Sequence, residues 1–317
     1  MDFIVENDIL KKYCGNDAEV KVPDGIKTIG EYAFDRCENM ESIFLPESVT
    51  EIGNGAFVHC QALKSINIPK ALTSIGDYAF FRCISLENIK LNDGLKRIGQ
   101  SAFALCNSLK GIVIPESVTE LGKNIFYECI ALEYANIPKG LTEVSEWLFY
   151  KCKKLKSIRL HDGITTIGKG AFAMCISICD LVIPKSVTYL GQNSLWECME
   201  LKKIDIPENI KFMGEAVFYD CFGVTEMKVP YGVTRVSNSL FDGCKNITQM
   251  TLPDTVKSIG DWAYGRCYGL KDITIPASVK TFGKDVFFRC ENVTIHAPSG
   301  SAAEEYAKEK NINFQAI

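Results

Sequence analysis

The chain has 317 residues, 47% apolar and 23% charged, a composition that supports a large core and excludes disordered, collagen-like and coiled-coil chains. A net charge of -4 with no basic cluster excludes binding that works by neutralising nucleic-acid phosphates. No apolar run reaches the ~18 residues of a membrane span, and the first twenty residues lack the regions of a secretory signal, so the sequence as written reads as soluble and untargeted, without membrane insertion.

From the start of the chain, Phe3, Val5, Ile9 and Leu10 predict an N-terminal cap over residues 1–19 that leads into a partial coil at Cys14. From there thirteen of the fourteen cysteines keep a constant step: Cys14, Cys37, Cys60, Cys83, Cys106, Cys129, Cys152, Cys175, Cys198, Cys221, Cys244, Cys267 and Cys290. Only Cys179 stands outside this row. The step is 23 residues, and residues 20–297 therefore read as about twelve stacked repeats rather than two domains. A proline row from Pro23 to Pro276 keeps the same step and is broken at Asn92 and His161. A glycine row from Gly30 to Gly283 is broken at Ser145 and Ser237. Four residues after it runs an aromatic row from Phe34 to Phe287, with Leu195 and Tyr264 as substitutes.

One unit reads C-x-x-L-x-x-I-x-I-P-x-x-L-x-x-I-G-x-x-A-F-x-x. Leu63, Ile66 and Ile68 predict a short strand with one buried face, closed by Pro69, which has no N–H to give a neighbouring strand. Leu72 and Ile75 predict a second extended piece, and Gly76 a turn that needs positive φ; matching turns at Ser145 and Ser237 would instead point to smallness. Residues 77–82 predict one helical or 3-10 turn. A single unit cannot bury its apolar positions, so coils must stack, with equivalent strands side by side. At ~4.8 Å per strand, twelve coils span about 55–60 Å, and right-handed crossovers are expected. After residue 297, Gly300 and Ser301 precede a predicted helix over 302–310 with Ser301 as N-cap, and Ile312 to Phe314 complete a C-terminal helical cap over 298–317.

The pattern L-x-x-I-x-I-P-x-x-L-x-x-I-G-x-x-A-F-x-x-C resembles the leucine-rich repeats of the BspA-like family over roughly residues 20–297. The resemblance implies an α/β repeat fold, a curved right-handed leucine-rich-repeat solenoid with a parallel β-sheet on its concave face and short strands, turns or 3-10 segments on its convex face. It also implies a surface or secreted protein of bacteria or some protists that binds a host or partner protein.

Chemistry is sparse in the sequence. The thirteen cysteines lack the close pairs of zinc sites, Cys175 and Cys179 being four apart, and in-register parallel side chains sit too far apart for disulfides. They read as a buried ladder of compact apolar thiols, which fits a reducing compartment. Cys179, at a strand margin, is the candidate for a reactive thiol beside the reading of a plain surface substitution. His59, His161 and His296 fall in different repeats and at different repeat positions, so they form no triad or ligand set. No phosphate-binding, nucleophile-elbow or zinc-protease motif occurs, and no enzyme, metal or cofactor is expected. Asn246 and Asn292 lie in chance-level N-x-[ST] matches relevant only to a secretory pathway.

Residues before each inward isoleucine face outward and vary freely, whereas the inward rows hardly change. The candidate partner-binding residues on these rows are Phe44, Lys90, Val113, Tyr134, Arg159, Val182, Lys203 and Lys228. A second stripe, Phe81, Tyr127, Tyr150, Trp196, Tyr219 and Phe288, reads as rings covering neighbouring turns, with a partner or carbohydrate surface as the alternative. Two functions stay open: a protein-binding module at the cell surface, as the resemblance implies, and an intracellular scaffold or spacer, which the thiol ladder and the missing signal favour.

Overall fold

The computed structural model describes residues 2–317. The fold is a parallel β-solenoid of about 13 turns with almost no helix. It divides into two compact units, one running to Ile158 and one from Arg159 to Ile317.

The first unit opens with an antiparallel hairpin of β1 (Phe3–Glu6) and β2 (Ile9–Tyr13). From β2, two-residue strands at Thr28–Ile29, Glu51–Ile52, Ser74–Ile75, Arg97–Ile98 and Glu120–Leu121 continue a seven-stranded sheet with parallel pairing. These are the second extended pieces of the repeat. The L-x-x-I-x-I pieces pair less: Glu19–Lys21, Ser42–Phe44 and Ser65–Ile66 form a parallel sheet, and beyond it the row is joined by isolated bridges such as Asn88 to Gly111 and Gly111 to Tyr134. Equivalent L-x-x-I-x-I pieces lie side by side in parallel as expected, with short stretches of regular pairing. One cause of the shortness is a side chain standing in for a strand: the Asn67 amide donates to the Leu45 carbonyl at 2.8 Å and accepts from the Leu45 N–H at 2.7 Å. Asn136 does the same to Ile114 at 2.9 and 2.7 Å.

In the second unit, Thr166–Ile167, Tyr189–Leu190 and Phe212–Met213 pair in parallel, as do Arg235–Val236, Ser258–Ile259 and Thr281–Phe282. The first row returns as Gln249–Thr251, Asp272–Thr274, Thr294–Ala297 and Asn313–Ala316. Helix α1 (Ala302–Lys310) starts at Ser301, whose side chain accepts from the Glu304 N–H, and ends at Asn311 in the left-handed conformation. Its Tyr306 ring stacks on Phe282 at 4.5 Å between centroids.

The glycine row does not need positive φ, since none of its members has it. It needs the absence of a Cβ. Gly30, Gly53, Gly76, Gly99, Gly122, Gly191, Gly214, Gly260 and Gly283 each donate their N–H to the coil before at 2.8–2.9 Å. A Cβ on Gly99 would lie 2.5 Å from both the Asp77 nitrogen and the Gly76 carbonyl carbon. The two serines show the result of adding one. No pairing joins Glu120–Leu121 to Glu143–Val144 before Ser145, or Phe212–Met213 to Arg235–Val236 before Ser237. Each hydroxyl bonds the preceding coil instead, Ser145 to the Gly122 carbonyl at 2.8 Å and Ser237 to that of Met213 at 2.5 Å.

Residues 77–82 and their equivalents are turns, not a helical or 3-10 turn. Two positions per coil are left-handed: the row Tyr32, Gly55, Tyr78, Ser101, Asn124 and Trp147 in the first unit, and a row four residues later from Arg36 to Lys151; both continue in the second unit. Most are not glycine, and each such residue costs roughly 1–2 kcal/mol. Alternate N–H groups bond the next coil, Tyr78 to Gln100, Phe80 to Ala102 and Arg82 to Ala104, at 2.8–2.9 Å, and this ladder offsets the strain.

Inside the first unit the rings from Phe34 to Phe149 stack at 5.1–6.1 Å, ended by Tyr13 and Phe3. In the second, Phe218, Phe241, Tyr264 and Phe287 stack at 5.3–5.7 Å. The thiols run beside them. Cys60, Cys83, Cys106, Cys129 and Cys152 donate to the carbonyls of Phe34, Phe57, Phe80, Phe103 and Phe126 at 3.0–3.2 Å. Cys198 to Cys290 repeat this at 3.0–3.3 Å. Each such carbonyl also takes a backbone N–H three residues on, Cys60 to Phe57 for example, so both its lone pairs are used. Two members leave the buried ladder: Cys14 is exposed and Cys37 half-buried. At the first position the hairpin sets a different register, with Cys14 donating to Asp2 and Tyr13 covering Phe34.

Candidate functional site

The outward side of the first strand row carries all eight candidate residues, and all eight are exposed. In the first unit Phe44, Val113 and Tyr134 are 50%, 64% and 55% exposed, unusually open for such side chains. Phe44 closes the strand Ser42–Phe44 beside a shallow trough of about 740 Å³ that runs from Glu19 to Asn67. The Tyr134 ring leans across Gly111, where a Cβ would collide with it. Val113 lies one coil before Tyr134, and Lys90 one coil before Val113. Beside them runs a row of alternating charge: Lys64 bonds Glu41 at 2.8 Å and Lys110 bonds Glu87 at 2.7 Å. The Lys110 hydrogen bond, with Lys64 on the other side, holds the Glu87 carboxyl below the usual range, and Glu133 adds to the raising of Lys110.

In the second unit Val182 is 71% exposed, and Arg159, Lys203 and Lys228 are likewise open. Lys203 faces Glu226 through a backbone bridge. A trough of about 670 Å³ lies between the segments Thr225–Val229 and Thr248–Thr251 and includes Lys228. Four of the eight residues belong to the first unit and four to the second.

The aromatic stripe lies over neighbouring turns: Tyr127 on Tyr150 at 4.5 Å, Trp196 against Tyr219 at 6.3 Å, Phe288 on Trp262 at 4.6 Å, with the Arg266 guanidinium 4.9 Å from the Tyr219 ring. Arg266 also bonds Asp242 at 2.8 Å, and burial raises that buried carboxyl despite the partner. His161 Nδ1 accepts from the Gly163 N–H at 3.1 Å, just as Asn92 takes Gly94 at 2.6 Å, which explains both interruptions of the proline row. His296 meets Asp272 at 2.7 Å. Among the described residues no group of three His, Cys, Asp or Glu is placed to hold a metal, and no helix is long and apolar enough to cross a membrane.

One surface feature lies outside the candidate rows. Tyr189 and Phe212, neighbours on the second strand row, are stacked at 5.1 Å and both exposed. Their signal is present in the sequence: the row Thr28, Glu51, Ser74, Arg97, Glu120, Glu143, Thr166, Tyr189, Phe212 turns aromatic only there.

The family model described as a BspA type leucine rich repeat region matches residues 6–133, 119–248 and 213–304, in six copies. A leucine-rich repeat protein from Bacteroides ovatus is 30% identical, with 98% of this chain and 94% of that chain covered and a TM-score of 0.75. A T. pallidum leucine rich repeat protein is 31% identical over 56% of this chain and 87% of that one, at a TM-score of 0.53. A leucine rich cell surface protein from Faecalibacterium prausnitzii shares the fold at 23% identity and a TM-score of 0.64, over 96% and 94% of the two chains. No curated protein matches. With its repeats, its stacked coils and these likenesses in agreement, the chain belongs to the BspA-type leucine-rich repeat family, whose members generally serve protein interaction.

Proposed function

We propose that this chain is a non-catalytic protein-binding module whose outward first-row face, through Phe44, Lys90, Val113, Tyr134, Arg159, Val182, Lys203 and Lys228, captures a host or partner protein at a bacterial cell surface or after secretion. The observation that carries it is the contrast within one repeat: inward positions are nearly constant and buried, while outward ones vary and expose large apolar, aromatic and cationic side chains. Rows of like groups also give no pocket in which unlike catalytic groups converge. The Faecalibacterium relative, described as a cell surface protein, supports the location. The buried thiols favour a second reading, an intracellular scaffold, because free thiols persist in reducing compartments.

The test has two arms. Phe44→Ala, Tyr134→Ala and Arg159→Glu are expected to lose capture of the partner retained by the unaltered protein, with thermal stability unchanged; unchanged capture refutes the face. Protease shaving of intact source cells locates the native protein. Protection inside the cell moves the reading to the scaffold.

A further inference from the structure

The first strand row has an open edge where it begins, at Glu19–Lys21. Along this row each strand bonds the coil before it: the Ser42 N–H donates to the Ala18 carbonyl and the Phe44 carbonyl accepts from the Val22 N–H, both at 3.0 Å. In a parallel ladder the N–H and C=O of one residue point to the same neighbouring strand, and successive residues alternate. Val20 therefore serves Ser42–Phe44. The N–H and C=O of Glu19 and Lys21, the equivalents of Ser42 and Phe44 one coil earlier, point the other way. No strand lies there: Glu19–Lys21 is the end member of its sheet, and the hairpin that precedes it runs in the other row, with β2 beside Thr28–Ile29. Among the described residues no backbone bond reaches Glu19 or Lys21 from that side, and both residues are exposed. Two donors and two acceptors thus stand at a sheet edge that no described coil covers, the arrangement by which strand addition recruits an extended chain.

The side chains beside this edge narrow the occupant. Glu19 and Lys21 lie two residues apart, so they share the outward face with opposite signs, and among the described residues neither belongs to a salt bridge, whereas Lys64 and Lys110 are paired. Lys21 pairs in register with Phe44, and the trough of about 740 Å³ spreads from here to Asn67, which leaves open space for the side chains of an added strand next to the exposed Phe44 ring. A step of two residues in an extended chain spans about 6.6 Å, so an added strand with one basic and one acidic residue at that step matches both charges. A second copy of this chain does not supply that match through its own end strand of this row, Asn313–Ala316, which carries no charge. We propose that Glu19–Lys21 takes on an extended segment of a partner protein as an extra strand, with a cationic side chain beside Glu19 and an anionic one beside Lys21. This rests on the protein-binding reading of the outward face and names the partner chemistry at one end of it.

The probe is a phage-displayed library of random linear twelve-residue peptides, selected on the full chain. Selected peptides are expected to carry Lys or Arg two residues from Asp or Glu. On binding they should slow amide exchange at Glu19 and Lys21, fast in the free chain, at least tenfold. The double reversal E19K and K21E should weaken binding at least tenfold and be rescued by exchanging the two charges in the peptide. Lys21→Pro, which removes an edge donor but no bond to Ser42–Phe44, should weaken binding more than Lys21→Gln, which removes the charge alone. If the proline variant does not fold, the charge reversal and the exchange readout still decide. Peptides without the charge pair, binding indifferent to the reversal, or no selected peptide at all overturn the proposal. So does self-association of the chain that the double reversal abolishes, because the edge is then taken by a second copy. Peptides that instead lose binding on Tyr134→Ala or Arg159→Glu and ignore the reversal overturn the edge alone and leave the wider face reading standing.

Discussion

Raising the pH should unfold this protein through its thiols. Nine of them, Cys60, Cys83, Cys106 and Cys129 in the first unit and Cys198, Cys221, Cys244, Cys267 and Cys290 in the second, are buried and ionise only well above the ordinary value of 9.0. Cys129, Cys221 and Cys290 are pushed up to about 12, in each case chiefly by burial. The folded chain holds these protons more tightly than the unfolded chain, so the stability they carry is complete below pH 9 and drains away as pH rises toward about 12. At pH 10 each thiol ionised only in the unfolded state costs about 1.4 kcal/mol relative to pH 7, and nine together about 13 kcal/mol. That is comparable to the entire ~5–15 kcal/mol that holds a typical native protein folded. Urea unfolding at pH 7, 8, 9 and 10 with reductant present, followed by far-ultraviolet circular dichroism, measures the loss. Cys106→Ala should lessen the dependence by about 1.4 kcal/mol at pH 10. A total loss under ~3 kcal/mol between pH 7 and 10 would refute the reasoning.

Gly99→Ala should destabilise by about 1–3 kcal/mol in thermal unfolding, because its Cβ meets the Asp77 nitrogen and the Gly76 carbonyl carbon, which cannot swing aside, as well as the Asp77 carboxylate, while Gly140→Ala, with nothing within 4 Å, should stay within ~0.5 kcal/mol. Asn67→Leu leaves both Leu45 backbone groups without partners and should cost about 1–3 kcal/mol, with faster amide exchange at Leu45; unchanged exchange would argue against the amide as a strand substitute. Maleimide labelling with peptide mapping under native, reducing conditions should modify the two exposed thiols, Cys14 and Cys179, first, Cys37 more slowly, and Cys60 to Cys129 only on unfolding. Early labelling of Cys106 would contradict the buried ladder.

The repeat, the aromatic stack and the thiol ladder were legible because each depends on one residue type at one position, so a step of 23 shows at once which side chains meet. The helix after Ser301 was legible for the same reason, its cap being a side chain. The left-handed positions were not. Tyr78, Ser101, Asn124 and Trp147 share φ near +55° with no common chemistry, because the bonds to the next coil, and not the side chain, impose the conformation. Positive φ was instead assigned to the glycine row, where the real demand is closeness to the neighbouring backbone, a quantity that exists only once coils are stacked. Of the candidate surface, the outward position of all eight residues followed from strand alternation. The trough at Lys228 and the Tyr189–Phe212 pair did not, since each depends on how neighbouring coils pack or which row is read.

The alternating charges of Glu41, Lys64, Glu87, Lys110 and Glu133 make successive coils unequal even though their cores are nearly interchangeable. Excising one coil between Glu41 and Glu133 would leave every buried row continuous but set like charges side by side on the surface. Excising two adjacent coils would keep every neighbour opposite in sign. Along this stretch the core counts in single repeats and the surface counts in pairs, so a gene that grows or shrinks here by unequal exchange meets the least resistance when it moves by an even number.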